Sequence, residues 1–214
     1  MTPQDILQTG AHELGIEITP GQMLSIFQFI TELNKWNRKI NLTAIRDERD
    51  IVVKHILDSL AYLKGFSITP GIRLLDMGAG AGLPAIPIKI VRPSITTTLV
   101  ESVKKKASFL RHVVRTLNLT SIEVVDQRIE ELPALFRAAY DIVTARAFAD
   151  IITALTTGQS FLKKGGLMVL SRGPEETLSM QEINKSGFGL VNRIVLTLPY
   201  SDYKRAIWVF KRIV

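Results

Sequence analysis

A glycine-rich turn is the segment of the sequence best suited to bind a ligand. It follows residues 74–77, which are apolar except for Asp76, and contains Gly78, Gly80 and Gly82 just before Pro84. Glycines at alternate positions let the backbone come close to a ligand because no side chain intervenes. The helix expected after Pro84 adds free backbone N–H groups at the same place. In an open parallel sheet, such a strand-to-helix turn is where a nucleotide-like ligand binds.

Two acidic residues beside this turn restrict the type of ligand. Glu101 ends the next apolar segment, where a carboxylate accepts hydrogen bonds from both hydroxyls of a ribose. A surface acid that caps the following helix is the alternative for Glu101. Asp76 lies just before the turn, and its negative charge opposes a pyrophosphate but suits a cationic amine or sulfonium. S-adenosylmethionine carries both cationic groups, so the pattern favours methyl transfer over hydride transfer.

The composition excludes several other kinds of chemistry. The chain of 214 residues has no cysteine, which rules out disulfides, a thiol nucleophile and thiolate metal sites. Its three histidines are too far apart in sequence to indicate a metal site. The net charge of +7 favours a polyanionic partner such as nucleic acid, although solubility alone explains it equally well. No apolar run is long enough to span a membrane and no export signal is visible, so we expect a cytoplasmic protein.

The first part of the chain, residues 1–66, is predicted to form a helical N-terminal region. Thr19, Pro20 and Gln22 form the capping-box pattern of a helix start. Asp47 is placed to start the next helix and Gly65 to end it. Residues 67–214 are predicted to form the ligand-binding domain.

From residue 72 onward, short apolar segments alternate with helical patterns. The strand candidates are residues 72–77, 97–101, 122–126, 140–145, 167–171, 191–198 and 206–212. The helix candidates are residues 84–91, 103–117, 130–136, 151–161 and 175–185. This alternation predicts an α/β fold with a mostly parallel seven-stranded sheet and helices on both faces. The last two strands follow each other directly, so we expect a hairpin that makes the last strand antiparallel.

Five motifs in order along residues 5–212 resemble the RsmG family, also called glucose-inhibited division protein B. The glycine-rich motif is Asp76-Met77-Gly78-Ala79-Gly80-Ala81-Gly82-Leu83-Pro84. The other motifs are WNxxxNLTA with KHILDS at residues 36–59, ESxxKKxxFL at 101–110, RxEE at 128–131 and ARAFA at 145–149.

The resemblance implies a Rossmann-like class I methyltransferase that uses S-adenosyl-L-methionine. Its implied reaction is methylation of N7 of one guanine in 16S ribosomal RNA, as naked RNA or in the small ribosomal subunit. The implied cofactor-binding residues are Asp76, Gly78, Gly80, Gly82, Leu83, Glu101, Ile129, Glu130 and Arg146. We expect a monomer that needs no metal and no membrane.

The reaction itself requires few catalytic groups. Guanine N7 carries a lone pair and no proton, so no general base is needed and positioning should dominate catalysis. Guanine O6 is an acceptor on the same edge, which calls for donors near the methyl group. The candidates for guanine positioning are Arg146, Asn41, His55 and Arg172. The alternative for His55 is a core histidine packed between Val52 and Ser59.

Two alternatives to catalysis on RNA remain open at this point. The first is an RNA-binding protein that keeps the cofactor site without catalysis. The second is an NAD-dependent oxidoreductase, against which Asp76 and the glycine spacing argue. The basic residues Lys35, Arg38, Lys39 and Arg46 form either an RNA-facing rim or an ordinary solvated surface.

Overall fold

A seven-stranded sheet organises the protein, as described for residues 1–213 by a computed structural model. The strands are β1 Arg73–Met77, β2 Thr96–Val100, β3 Ile122–Val125, β4 Tyr140–Ala145, β5 Leu162–Arg172, β6 Phe188–Thr197 and β7 Lys204–Arg212. Their order in the sheet is β3-β2-β1-β4-β5-β7-β6. Pairs among β1 to β5 are parallel, whereas β7 is antiparallel to both β5 and β6. The predicted mostly parallel sheet with an antiparallel last strand is therefore confirmed.

The strand order places a topological switch point at β1. The chain runs outward from β1 to β2 and β3, and then returns to the other side of β1 as β4. In such sheets the crevice outside the carboxyl ends of the strands around the switch point is where ligands bind. The glycine-rich turn directly follows β1 and therefore lies in this crevice.

Helices cover both faces of the sheet. They are α1 Pro3–Glu13, α2 Pro20–Asn37, α3 Glu48–Ile51, α4 Asp58–Ala61, α5 Ala85–Val91, α6 Lys104–Thr116, α7 Ile151–Gln159 and α8 Met180–Lys185. The capping box predicted at Thr19 is present: its side chain accepts from the Gln22 N–H, and the Gln22 side chain accepts from the Thr19 N–H. Asp47 caps α3 as predicted. Between α3 and α4 the helix continues as a π-helix, Val52–Leu57, and a 3₁₀ turn, Tyr62–Gly65, follows α4.

The N-terminal helices and the sheet share one hydrophobic core. Ile6, Phe29 and Ile56 from the first 66 residues belong to the same buried cluster as Leu74 and Val209 from the sheet. A second cluster packs α7 and α8 against the opposite face of the sheet. The division into a region 1–66 and a domain 67–214 stays a prediction, because the packing is continuous across it.

Two helix predictions are wrong in extent. Residues 130–136 form only two single 3₁₀ turns, Ile129–Glu131 and Ala134–Phe136, because Pro133 between them cannot donate a helical hydrogen bond. Residues 175–179 are not helical, and α8 begins after Ser179, whose side chain accepts from the Glu182 N–H. Among the residues that the structure describes, no helix is both long enough and apolar enough to cross a bilayer.

Candidate active site

The glycine-rich turn forms one wall of a cleft at the carboxyl ends of β1 to β4. Gly78 and Gly82 both adopt positive φ, at 65° and 80°, which favours glycine. A Cβ at Gly78 would lie 3.1 Å from the Phe148 ring, and a Cβ at Gly82 would lie 2.5 Å from Ile86 Cγ1. Gly78 therefore keeps the cleft open, while the buried Gly82 lets the turn pack against the helix that follows.

The cleft has a volume of about 180 Å³ and receives one segment from each strand end. The lining residues are Gly78, Val100, Ser102, Gln127, Arg128, Ile129, Glu130 and Phe148. Among the predicted residues, Gly78, Ile129 and Glu130 are thus brought together. Sequence reasoning quoted Ser102, Arg128 and Phe148 within motifs without giving them a role in the site, and it missed Gln127. Their positions directly after β2, β3 and β4 are the signal that could have identified them.

Glu101 lies just beyond β2 and connects two backbone segments of the site. Its Oε2 accepts a hydrogen bond from the Gly80 N–H at 2.8 Å, and its Oε1 accepts from the Val103 N–H at 2.8 Å. Glu101 is 6% exposed and is flanked in the chain by Val100 and Ser102, both of which line the cleft. These two bonds hold the carboxylate in a defined orientation at the cleft wall.

Asp76 lies beneath the turn rather than on the surface of the cleft. It is fully buried in β1, and its Oδ1 accepts from Thr144 Oγ1 on β4 at 2.7 Å. Burial raises the pKa of Asp76 to about 7, although the Thr144 hydrogen bond and the positive charge of Arg146 oppose the rise. A cation near the turn would favour the ionised carboxylate.

Arg146 lies at the end of β4 and joins the sheet to the N-terminal helices. Its Nη2 donates to the Lys54 carbonyl at 2.9 Å, lies 3.0 Å from His55 Nδ1 and lies 3.3 Å from Asp58 Oδ2. Its Nη1 is buried and has no hydrogen-bond partner within residues 1–213. Asp58 Oδ1 also lies 3.0 Å from Arg205 Nε on β7, so one buried carboxylate forms ion pairs with two arginines.

His55 is a neutral base in this cluster. Its Nδ1 lies 3.0 Å from Arg146 Nη2 and 3.0 Å from the Lys54 carbonyl oxygen, and its Nε2 lies 2.6 Å from Thr43 Oγ1. Burial, followed by the positive charge of Arg146, lowers the pKa of His55 from 6.5 to about 4. The two predicted candidates, His55 and Arg146, are therefore in direct contact.

The other two candidates for guanine positioning lie apart from this contact. Asn41 lines a separate polar pocket beside the carboxyl-terminal end of α2. Arg172 donates to the Ala149 carbonyl and lies 3.8 Å from Glu176 Oε2, so its guanidinium holds neighbouring backbone.

Sequence reasoning did not single out Asp58, which the structure places at the centre of the Arg146 cluster. The residue is 1% exposed. The available signal was a lone acid among the apolar residues of a helical segment, flanked by Ile56, Leu57 and Leu60. Such an acid is buried only when paired. Among the described residues, no three histidine, aspartate or glutamate side chains come together as metal ligands.

The strand order and the cleft at the switch point define a class I S-adenosylmethionine-dependent methyltransferase. Residues 22–195 match the family model described as rRNA small subunit methyltransferase G, and the chain belongs to this family. A relative from Geobacter sp. (strain M21), named ribosomal RNA small subunit methyltransferase G, is 38% identical over 98% of this chain and 97% of its own length. A relative of the same name from Roseiflexus castenholzii is 42% identical over 74% of this chain and 68% of its own length.

Solved structures agree with the fold. The M. jannaschii TYW2 structure in complex with AdoMet superposes with a TM-score of 0.60 at 15% identity, covering 82% of this chain and 80% of its own. A SAM-dependent methyltransferase from Aquifex aeolicus superposes with a TM-score of 0.57 at 14% identity, covering 85% of this chain and 97% of its own. At these identities the likeness concerns the fold alone.

Proposed function

We propose that this protein transfers the methyl group of S-adenosylmethionine to N7 of one guanine in 16S ribosomal RNA. The observation that carries the proposal is the cleft after β1 and β2, where the buried Glu101 carboxylate is bonded to the glycine-rich turn. Membership of the rRNA small subunit methyltransferase G family supports the RNA substrate. The N7 position follows from the motif resemblance described above.

The residues present fit the cofactor. The space beside Gly78 is one that a Cβ would enter, 3.1 Å from Phe148, so the cradle depends on the absence of a side chain. The Glu101 carboxylate is suited to the ribose hydroxyls, and Ile129 and Glu130, which line the cleft, are placed beside the adenine ring. Gly80, Gly82 and Leu83 complete the turn, with the Asp76 and Arg146 side chains behind it. When bound, S-adenosylmethionine supplies an electrophilic methyl group on a sulfonium.

The protein's own contribution to the reaction is positioning. Guanine N7 attacks with its lone pair, so no side chain has to remove a proton. Arg146 is the favoured residue for orienting the base, because its buried Nη1 lacks a partner within the described residues and can donate to guanine O6. His55 supports Arg146 through Nδ1. Asn41 and Arg172 are assigned to RNA contacts outside this group.

The proposal includes the setting of the reaction. The protein acts in the cytoplasm, as a monomer and without a metal ion, on the RNA of the small ribosomal subunit. The surplus of basic over acidic residues, 27 against 20, suits a polyanionic substrate.

Methyl transfer from labelled S-adenosylmethionine tests the proposal. The acceptors are small subunits that lack their native guanine-N7 methylation, and RNA stripped from them. Borohydride–aniline cleavage followed by primer extension locates the product. One modified guanine is expected with the native protein and with Glu13→Ala, an exposed control, and is expected to be lost in Glu101→Ala. If the protein binds the cofactor but transfers no labelled methyl group to any of the acceptors, the substrate assignment is contradicted. That result would favour an RNA-binding role without catalysis.

A further inference from the structure

A second polar pocket lies between the carboxyl-terminal end of α2 and the loop that follows it. Its volume is about 500 Å³. The lining residues are Asn34, Asn37, Arg38, Asn41 and Arg46. The pocket thus combines two guanidinium groups with three carboxamides and contains no acidic side chain.

The wall of this pocket is held in shape by the protein itself. Asn37 Nδ2 donates to the Thr43 carbonyl at 2.8 Å, and Asn37 Oδ1 accepts from the Leu42 and Thr43 N–H groups at 2.9 and 3.0 Å. Thr43 Oγ1 in turn accepts from the Ile45 N–H at 3.0 Å. These bonds fold residues 38–45 into a fixed loop, which lowers the entropic cost of binding a ligand there.

Three of the side chains that line the pocket have donors that the protein does not use. Within residues 1–213, the side chains of Arg38, Asn41 and Arg46 make no hydrogen bond or ion pair, and all three residues are exposed. Guanidinium groups pair with phosphate oxygens through two parallel hydrogen bonds. A carboxamide offers a donor and an acceptor together, which matches the edge of a nucleobase. The set of groups therefore fits a nucleotide better than a simple anion.

The pocket is connected to the acceptor side of the active site by two hydrogen bonds. Thr43, in the pocket loop, lies 2.6 Å from His55 Nε2, and His55 Nδ1 lies 3.0 Å from Arg146. Arg146 follows the last residue of β4, next to the cofactor cleft. An RNA that presents its target base at Arg146 therefore passes close to the loop.

We propose that this pocket binds a second nucleotide of the RNA substrate, with its phosphate at Arg38 and Arg46 and its base edge at Asn41. The inference rests on the proposed function for the identity of the RNA. It assigns the solvated basic residues after α2 to substrate recognition, and it makes the helical N-terminal region part of the RNA-binding surface.

The salt dependence of RNA binding tests the phosphate contacts. The test variant is Arg38→Gln with Arg46→Gln, and the control is Arg49→Gln with Arg115→Gln, which removes two exposed arginines outside the pocket. We expect the test variant to bind the small-subunit RNA about tenfold more weakly at low salt. The slope of log affinity against log salt should fall by about 0.7 for each phosphate contact removed, if the strand is single.

Steady-state methylation separates this site from the cofactor cleft. The KM for the RNA should rise in the test variant, while cofactor affinity and the thermal unfolding midpoint should match those of the control. Asn41→Ala should also raise the KM but leave the salt slope unchanged, compared with Asn184→Ala on the exposed side of α8. Unchanged RNA affinity and salt slope in the test variant, or an equal loss in the control, would overturn the pocket assignment.

The failure of this inference can be told apart from failure of the proposed function. If the native protein methylates the RNA and the test variant does so with the same KM, the pocket assignment fails alone. If the native protein incorporates no methyl group, the proposed function fails, and the binding measurement with the same RNA still decides whether the pocket contacts it.

Discussion

Asp58 Oδ2 lies 3.3 Å from Arg146 Nη2, across 88 residues of sequence, in a region where the carboxylate has almost no contact with solvent. The other oxygen of Asp58, Oδ1, lies 3.0 Å from Arg205 Nε and accepts a hydrogen bond from Ser171 Oγ at 3.4 Å. The single carboxylate therefore connects the N-terminal helices to β4, β5 and β7. It also fixes the orientation of the arginine that we assign to the guanine.

Replacing Asp58 with Asn should destabilise the protein. The change leaves Arg146 and Arg205 without a buried counter-charge, so we expect the free energy of unfolding to fall by about 2–4 kcal/mol. Urea denaturation measures this loss. Asp202→Asn, in the exposed turn before β7, should be neutral. An unfolding free energy of Asp58→Asn equal to that of the native protein would show that the carboxylate does not hold the two arginines.

Replacing Gly78 with Ala should impair cofactor binding. The left-handed backbone at Gly78 costs roughly 1–2 kcal/mol for a residue with a Cβ, and the added methyl group approaches the Phe148 ring. Isothermal titration with S-adenosylmethionine should show weaker binding, and urea denaturation a lower stability. Gly21→Ala is the matched control, because no atom lies within 4 Å of its Cβ and helical alanine is favoured over glycine. Equal effects of the two substitutions would contradict the proposed cradle.

Replacing Arg146 with Lys separates its two predicted roles. Lysine keeps the positive charge beside Asp58 but loses the planar fork of donors. If Arg146 orients the guanine, kcat should fall about 10- to 100-fold, since a hydrogen bond to a charged group contributes about 1.5–3 kcal/mol, while cofactor affinity is kept. If Arg146 holds the cofactor, the cofactor affinity should fall instead. Arg115→Lys, at an exposed position of α6, serves as the control, and single-turnover methylation with a cofactor titration provides both readings.

The acid sensitivity of folding should depend on His55. The folded-state pKa of about 4 lies below the ordinary value of 6.5, so only the unfolded chain takes up this proton between those values. The stability that comes from the neutral ring is complete above pH 6.5 and is lost as the pH falls toward 4. Between pH 6.5 and pH 4, we expect the free energy of unfolding of His55→Gln to fall by about 2–3 kcal/mol less than that of the native protein. Urea denaturation at a series of pH values measures this difference.

The buried Asp76 has the opposite effect on the pH dependence of folding stability over part of this pH range. Its raised pKa of about 7 means that, between the unfolded value and pH 7, the folded state holds a proton that the unfolded chain has released. The stability that comes from the protonated Asp76 is therefore lost as the pH rises toward 7. The native protein and the His55→Gln variant both contain Asp76, so the effect of Asp76 cancels in the difference between their stabilities. His12→Gln, at an exposed site, should leave the pH profile unchanged. Parallel profiles for the native protein and His55→Gln would refute the assignment.

The sequence by itself was sufficient for the fold class and for placing the glycine-rich turn beside Glu101 at the carboxyl ends of β1 and β2. Strand–helix alternation, the glycine-rich turn after β1 and Glu101 after β2 are local patterns, and parallel strands bring their carboxyl ends to one edge of the sheet. The motif resemblance was enough to identify the family, which the comparisons confirm. The predicted roles of Ile129, Glu130 and the guanine-positioning residues stay predictions.

Only the tertiary structure decided which polar residues meet. His55 contacts Arg146 across 91 residues, and Asp58 contacts Arg205 across 147, so neither pair leaves a periodic trace in the sequence. The separate pocket at Asn41 depends on a loop closed by Asn37. Local propensity determines elements, whereas the pairing of buried charges is determined by packing, because each charge is stable in the core only beside a partner that the fold brings to it.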